Sequence, residues 1–152
     1  MRYRKRILVL TFTLVVLYCA MASLMSASDI LDARFYYSAR EATGFFAALE
    51  PPQNKIYLEH ELLDLVFLSS YTALFGTLAK RVFPNSSSLQ FFAFAPGLFD
   101  LIETGSIMAI LLGSSPGIFV GWLGVVTCCK WIAGSLFAIA IFVRYLRSFL
   151  RG

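Results

Sequence analysis

Charge is scarce in this chain and histidine almost absent: 14% of its 152 residues are charged and His60 stands alone. Soluble domains carry roughly 25% charged residues, so a chain that is 59% hydrophobic belongs with membrane proteins. One histidine excludes a multi-histidine zinc site and a bis-histidine haem. His60 with Asp64 supplies only two adjacent ligands, so no metal and no cofactor is expected. The three cysteines form no C-x-x-C pair, and adjacent Cys128 and Cys129 are poorly placed to bridge. They read as small apolar side chains. A G-x-S-x-G elbow and a glycine-rich phosphate loop with its lysine are both missing. The basic residues flank apolar segments instead of covering a soluble face, which argues against nucleic acid.

What is present is four long apolar runs in a single domain over residues 1–152: about 7–26, 62–79, 89–112 and 117–143. Each approaches the ~20 residues a helix needs to cross a bilayer. The first follows Arg2, Arg4, Lys5 and Arg6 and resembles a signal peptide with Ala20-Met21-Ala22 as its cleavage site. It exceeds the ordinary apolar length for such a segment, so an uncleaved anchor is favoured. Lipidation at Cys19 fits less well because bulky Tyr18 precedes it. The link Gly113-Ser114-Ser115-Pro116 is a tight turn that makes the last two runs antiparallel neighbours. With the N-terminus inside, Arg2, Arg4, Lys5, Arg6, Lys80, Arg81, Arg144, Arg147 and Arg151 lie on the inner side. Arg34, Arg40 and Lys55 lie outside. The positive-inside rule therefore puts both termini in the cytoplasm, and small size, basic inner ends and the lack of a barrel pattern make an inner membrane the expected location. The sequon Asn85-Ser86-Ser87 then falls on the inner side.

Residues 27–61 form an outer loop. Leu31, Phe35, Ala39, Ala42, Phe46 and Leu49 recur at helical spacing, with Ser28 or Asp29 available as the cap and Pro51-Pro52 as the stop. This predicts an amphipathic interfacial helix, and a lid or a partner surface are its alternatives.

Asp100, Glu103 and Lys130 interrupt the apolar runs. A charge near the bilayer centre costs about 2.5–3.5 kcal/mol on insertion scales, so it faces a partner or a cavity. Asp100 and Glu103 share a helix face, about 16 and 21 Å above the inner end of their run. Lys130 lies about 20 Å above the inner end of its own. The three are expected to meet, as a registering salt bridge, an ion or proton site, or a catalytic or lipid-headgroup site. One acid is left over, which predicts a protonated carboxylate or a bound cation. Pro96-Gly97 predicts a kink one turn before Asp100 that frees the Phe92 carbonyl. His60, Glu61 and Asp64 are candidates for the outer mouth of a path, or solvated helix-start residues. Thr104, Ser106 and Thr127 are candidates for its polar lining. Gly117, Gly121, Gly124 and Cys128 form a small-residue stripe suited to close helix packing, inside the bundle or in a homodimer.

The stretch Phe99-Asp100-Leu101-Ile102-Glu103-Thr104, followed by Lys130-Trp131, resembles a pattern in small, largely uncharacterised four-helix membrane proteins. There a D-L-x-E-N motif in helix three precedes a lysine in helix four. The resemblance spans Pro96 to Trp131, with Thr104 where the asparagine would stand. It implies an all-α four-helix transmembrane bundle and a three-residue charged cluster, and carries no activity.

Three functions follow as expectations. The first is a small polytopic membrane protein with a buried acid–base cluster linked to proton or cation transport. The second is a membrane-embedded enzyme acting on a lipid or isoprenoid. The third is an accessory subunit of a membrane complex. The lipid bilayer is the one partner common to them.

Overall fold

The computed structural model describes residues 2–150, and these are helical with no strand among them. Arg151, counted above with the inner basic residues, lies outside the described residues. The helices are α1 (Arg2–Leu24), α2 (Ala39–Ala48), α3 (Pro51–Val82), α4 (Ser87–Phe92), α5 (Ala95–Leu111) and α6 (Val120–Phe149). Four segments are long and apolar enough to cross a membrane: Tyr3–Leu24, Pro51–Val82, Ser87–Leu111 and Val120–Arg147.

The helix ends differ from the sequence reading in three places. Pro51-Pro52, expected to stop the preceding helix, instead opens α3. Proline is tolerated there because the first turn has no intrahelical use for its N–H. The Glu50 N–H donates to the Gln53 side chain at 3.1 Å and completes a capping box. With 32 residues, α3 is about 48 Å long and outruns a hydrocarbon core of about 30 Å.

The third apolar run is not one helix. A turn at Ala93–Phe94 separates α4 from α5, and the Phe94 N–H bonds the Phe91 carbonyl at 3.0 Å. Pro96 has no N–H for the Phe92 carbonyl, so the break falls just before it and Pro96 enters the first turn of α5. The third difference is in the outer loop. The helix expected from Leu31 begins only at Ala39, capped by Ser38 instead of Ser28 or Asp29.

The turn after α5 follows the sequence closely. Gly113 has φ of 104°, its N–H bonds the Ile110 carbonyl, and the Ser114 N–H bonds the Ala109 carbonyl. This Schellman closure needs a residue at positive φ, which glycine supplies without strain.

Helix α1 packs on α3, α3 on α5, α5 on α6, and α2 covers the start of α6. Most of α1 stays exposed, including Leu8, Phe12 and Tyr18. The interior is layered. At the α2 end, Leu31, Tyr37, Tyr57, Ile107 and Leu123 form one apolar core. At the other end, Ala79, Ala93 and Phe137 form a second. Between them lies a layer of buried polar side chains.

Candidate functional site

Residues 30–38 explain how that polar layer is built. This segment dips into the bundle as irregular chain, and its backbone finds partners outside itself. The Leu31 N–H donates to Tyr57 Oη at 3.2 Å, Lys130 Nζ donates to the Asp32 carbonyl at 3.2 Å, and Trp131 Nε1 donates to the Arg34 carbonyl at 2.9 Å. Buried polar backbone must be paired, and these bonds replace the helical ones that the Leu31–Leu49 periodicity predicted. Gly124 makes the approach fit, because a Cβ there would collide with the Tyr37 carbonyl. Gly124 thus seats a loop, while Gly117 lies in the turn before α6 and a Cβ on Gly121 would meet nothing.

Among the described residues, five carboxylates are buried: Asp32, Glu61, Asp64, Asp100 and Glu103. They fall into two groups. In the first, Lys130 Nζ lies 2.9 Å from Asp100 Oδ1 and 2.6 Å from Glu103 Oε2. Tyr71 donates to Asp100 Oδ2 at 2.8 Å. Tyr37 donates to Glu103 Oε1 at 3.2 Å, and Thr127 donates to the same oxygen. Burial, then the Glu103 charge, push the Tyr37 phenol well up, so it remains a donor. Lys130 spends its three protons on two carboxylates and one carbonyl. This triad is well supplied with donors.

The second group is not. Asp32, Glu61 and Asp64 each offer an oxygen, and these lie within 4.8 Å of one another. Glu61 is 0% exposed, and neither of its oxygens meets a described donor. Asp32 Oδ1 and His60 Nδ1 are also buried without a hydrogen-bond partner. His60 Nδ1 lies 3.6 Å from Glu61 Oε1, too long for a good hydrogen bond. Asp64 alone has a donor, Thr104 Oγ1 at 2.8 Å. Burial pushes the Asp32 carboxyl above its ordinary value, against the pull of Lys130 and His60.

A cavity of about 670 Å³ runs beside both groups, between α1 and the other long helices. Asp32, His60, Asp64, Asp100 and Lys130 are its polar wall. Tyr18 and Met21 of α1, and Met25 just after it, face them with Phe67 and Phe75 of α3. Such a mostly apolar cavity with a few convergent polar groups is the usual form of a ligand site.

Comparison with protein-family models, curated proteins and solved structures finds no match.

The expected cluster of Asp100, Glu103 and Lys130 comes together, with Thr127 against Glu103 and Thr104 against Asp64. Ser106 bonds its own helix at the Ile102 carbonyl. His60 and Asp64 lie deep in the polar layer, 2% and 5% exposed, because α3 starts well before Leu62. Two contributors were not foreseen at this depth. Glu61 is expected at the outer mouth of a path or at a solvated helix start, and instead lies fully buried. Asp32 carries no expectation from the sequence, and the one signal it offers is a lone acid inside Ile30-Leu31-Asp32-Ala33.

Proposed function

We propose that this chain is a small polytopic protein of the cytoplasmic membrane, with both termini inside, whose buried acid–base layer binds and releases a cation. The cation is a proton or a metal ion, exchanged through the cavity beside α1. One observation carries the reading: five buried carboxylates face one ammonium and one imidazole among the described residues. Even with His60 charged, three negative charges remain for protons, water or a bound cation to meet. An uncompensated buried charge is too costly for a layer that serves only to register helices.

The test is flux in proteoliposomes holding a pH-sensitive dye. Wild-type protein should carry pH- or cation-dependent flux, and Glu103→Gln or Asp100→Asn should abolish it while leaving the fold intact. Normal flux in both variants would end the reading. Orientation is tested with a membrane-impermeant thiol reagent in a cysteine-free background. Ala39→Cys should label in intact cells, and Asn85→Cys only after permeabilisation. The opposite pattern would reverse the topology.

A second reading, an enzyme acting on a lipid or isoprenoid, is favoured by the apolar wall of the cavity opposite Asp100 and Lys130. It expects an apolar molecule to co-purify with the protein and to be lost when Phe67→Trp fills the cavity.

A further inference from the structure

We propose that Asp32, Glu61 and Asp64 form a binding site for a hard divalent cation of the Mg²⁺ or Mn²⁺ class. This rests on the cation reading above and gives it a location.

The geometry comes first. Glu61 and Asp64 are three residues apart on α3 and share a face. Asp32 is brought to them by the dipping segment, which Tyr57 and Lys130 hold in place. The three ligand atoms lie within 4.8 Å of one another. Oxygens on opposite sides of a Mg²⁺ ion at 2.0–2.1 Å are about 4.0–4.2 Å apart, so the three oxygens need to close by only about half an ångström to share an ion.

The second observation is independent of the acids being clustered. His60 is 2% exposed, yet its Nδ1 has no hydrogen-bond partner and is turned to Glu61 at 3.6 Å. Glu61 itself is fully buried with both oxygens unpaired. Leaving a buried polar group unsatisfied costs about 1–3 kcal/mol, and more when it is charged. The neighbouring triad shows that this fold can supply donors: Asp100 and Glu103 receive Tyr71, Tyr37, Thr127 and Lys130. The Asp32–Glu61–Asp64 group receives only Thr104. A cation answers the unpaired oxygens together, which no single hydrogen-bond donor can do.

The donor set selects the ion. Three carboxylates and no thiolate favour a hard cation, and the imidazole is tolerated by Mn²⁺ either directly or through water. Asp32, His60 and Asp64 also line the cavity while Glu61 does not. The ion therefore enters from the cavity, with Glu61 at the back and water completing the shell.

The test uses the full chain in lipid nanodiscs, stripped with EDTA and titrated with Mn²⁺ while free Mn²⁺ is read by electron paramagnetic resonance. The expected result is one saturable Mn²⁺ per chain, displaced by Mg²⁺. Affinity should fall at least tenfold in Glu61→Gln and in Asp64→Asn, and hold in Glu59→Gln on the exposed side of α3. Absence of saturable Mn²⁺ in folded wild type, or unchanged affinity in both site variants, overturns the proposal. Should the variants fail to fold, thermal unfolding of wild type decides: Mn²⁺ must raise the midpoint and EDTA must reverse it, and no shift overturns the site. Flux by stripped protein that binds no Mn²⁺ also overturns the site, and leaves the broader cation reading standing.

Discussion

Thr104 Oγ1 donates to Asp64 Oδ2 at 2.8 Å, joining α5 to α3 where the donor-rich triad meets the donor-poor group. Both residues are buried, at 0% and 5% exposure, so little water competes for the bond. Leaving a buried donor or acceptor without its partner costs about 1–3 kcal/mol. Thr104→Val keeps the shape and removes the donor. It should lower stability by about 1–3 kcal/mol, read as a lower unfolding midpoint in nanodiscs. A variant as stable as wild type would show that the bond contributes nothing.

Lys130 is the sole ammonium in the polar layer among the described residues, so its loss strands two carboxylates. Removing one partner of a buried ion pair costs about 3–5 kcal/mol. Lys130→Met should reach that range by thermal unfolding. Adding Asp100→Asn and Glu103→Gln to it should recover part of the loss, because the stranded charges are then gone. No recovery in the triple variant would mean that packing, not charge, held the triad.

Two glycines on one helix should behave in opposite ways. Gly124→Ala drives a Cβ into the Tyr37 carbonyl, while Gly121→Ala meets open space. Overpacking costs about 1–3 kcal/mol, so Gly124→Ala should destabilise the protein and speed hydrogen exchange in residues 30–38. Gly121→Ala should do neither. Equal behaviour of the two variants would remove the account of how the segment is seated.

Glu41 gives a pH prediction away from the long helices. Its carboxylate accepts the Ser38 N–H and hydroxyl, each at 2.7 Å, and these bonds, the backbone one first, hold its pKa below the ordinary 4.5. A carboxyl whose pKa is lowered on folding stabilises the folded form above its unfolded value. That contribution is lost as pH falls through the folded value, so the start of α2 should fray at a pH below 4.5. Hydrogen exchange at residues 39–43 should rise there, and Glu41→Gln should flatten the response. Exchange that stays level down to acid unfolding would contradict the capping role.

The helices were legible because their signal is local. Runs of apolar residues, Gly113 at the turn and the basic residues in the last turn of α3 announce themselves without knowledge of neighbours. Asp100, Glu103 and Lys130 were legible for a related reason, since charge inside an apolar run needs a partner wherever it sits. Pro51-Pro52 misled because the same pair can end one helix or begin the next. The choice fell to Glu50 and Gln53, whose capping box favours starting α3. The segment after α1 misled because helical spacing from Leu31 was real but outweighed. Tyr57, Lys130 and Trp131 offered its backbone better partners from distant parts of the chain.

By itself, then, the sequence determined an all-helical chain with four helices apolar enough to cross a membrane, and a Lys130 that had to meet acid. Both follow from the cost of leaving charge or backbone unpaired in an apolar setting. Only the tertiary structure decided where the unmatched charge lies. One acid of the Asp100–Glu103–Lys130 triad is left over where tyrosine and threonine donors converge, and the larger share lies beside it at Asp32, Glu61 and Asp64, which receive only Thr104. That location depends on a loop folding back onto α3 and α6, and contacts between residues so far apart in the chain leave no periodic trace in it.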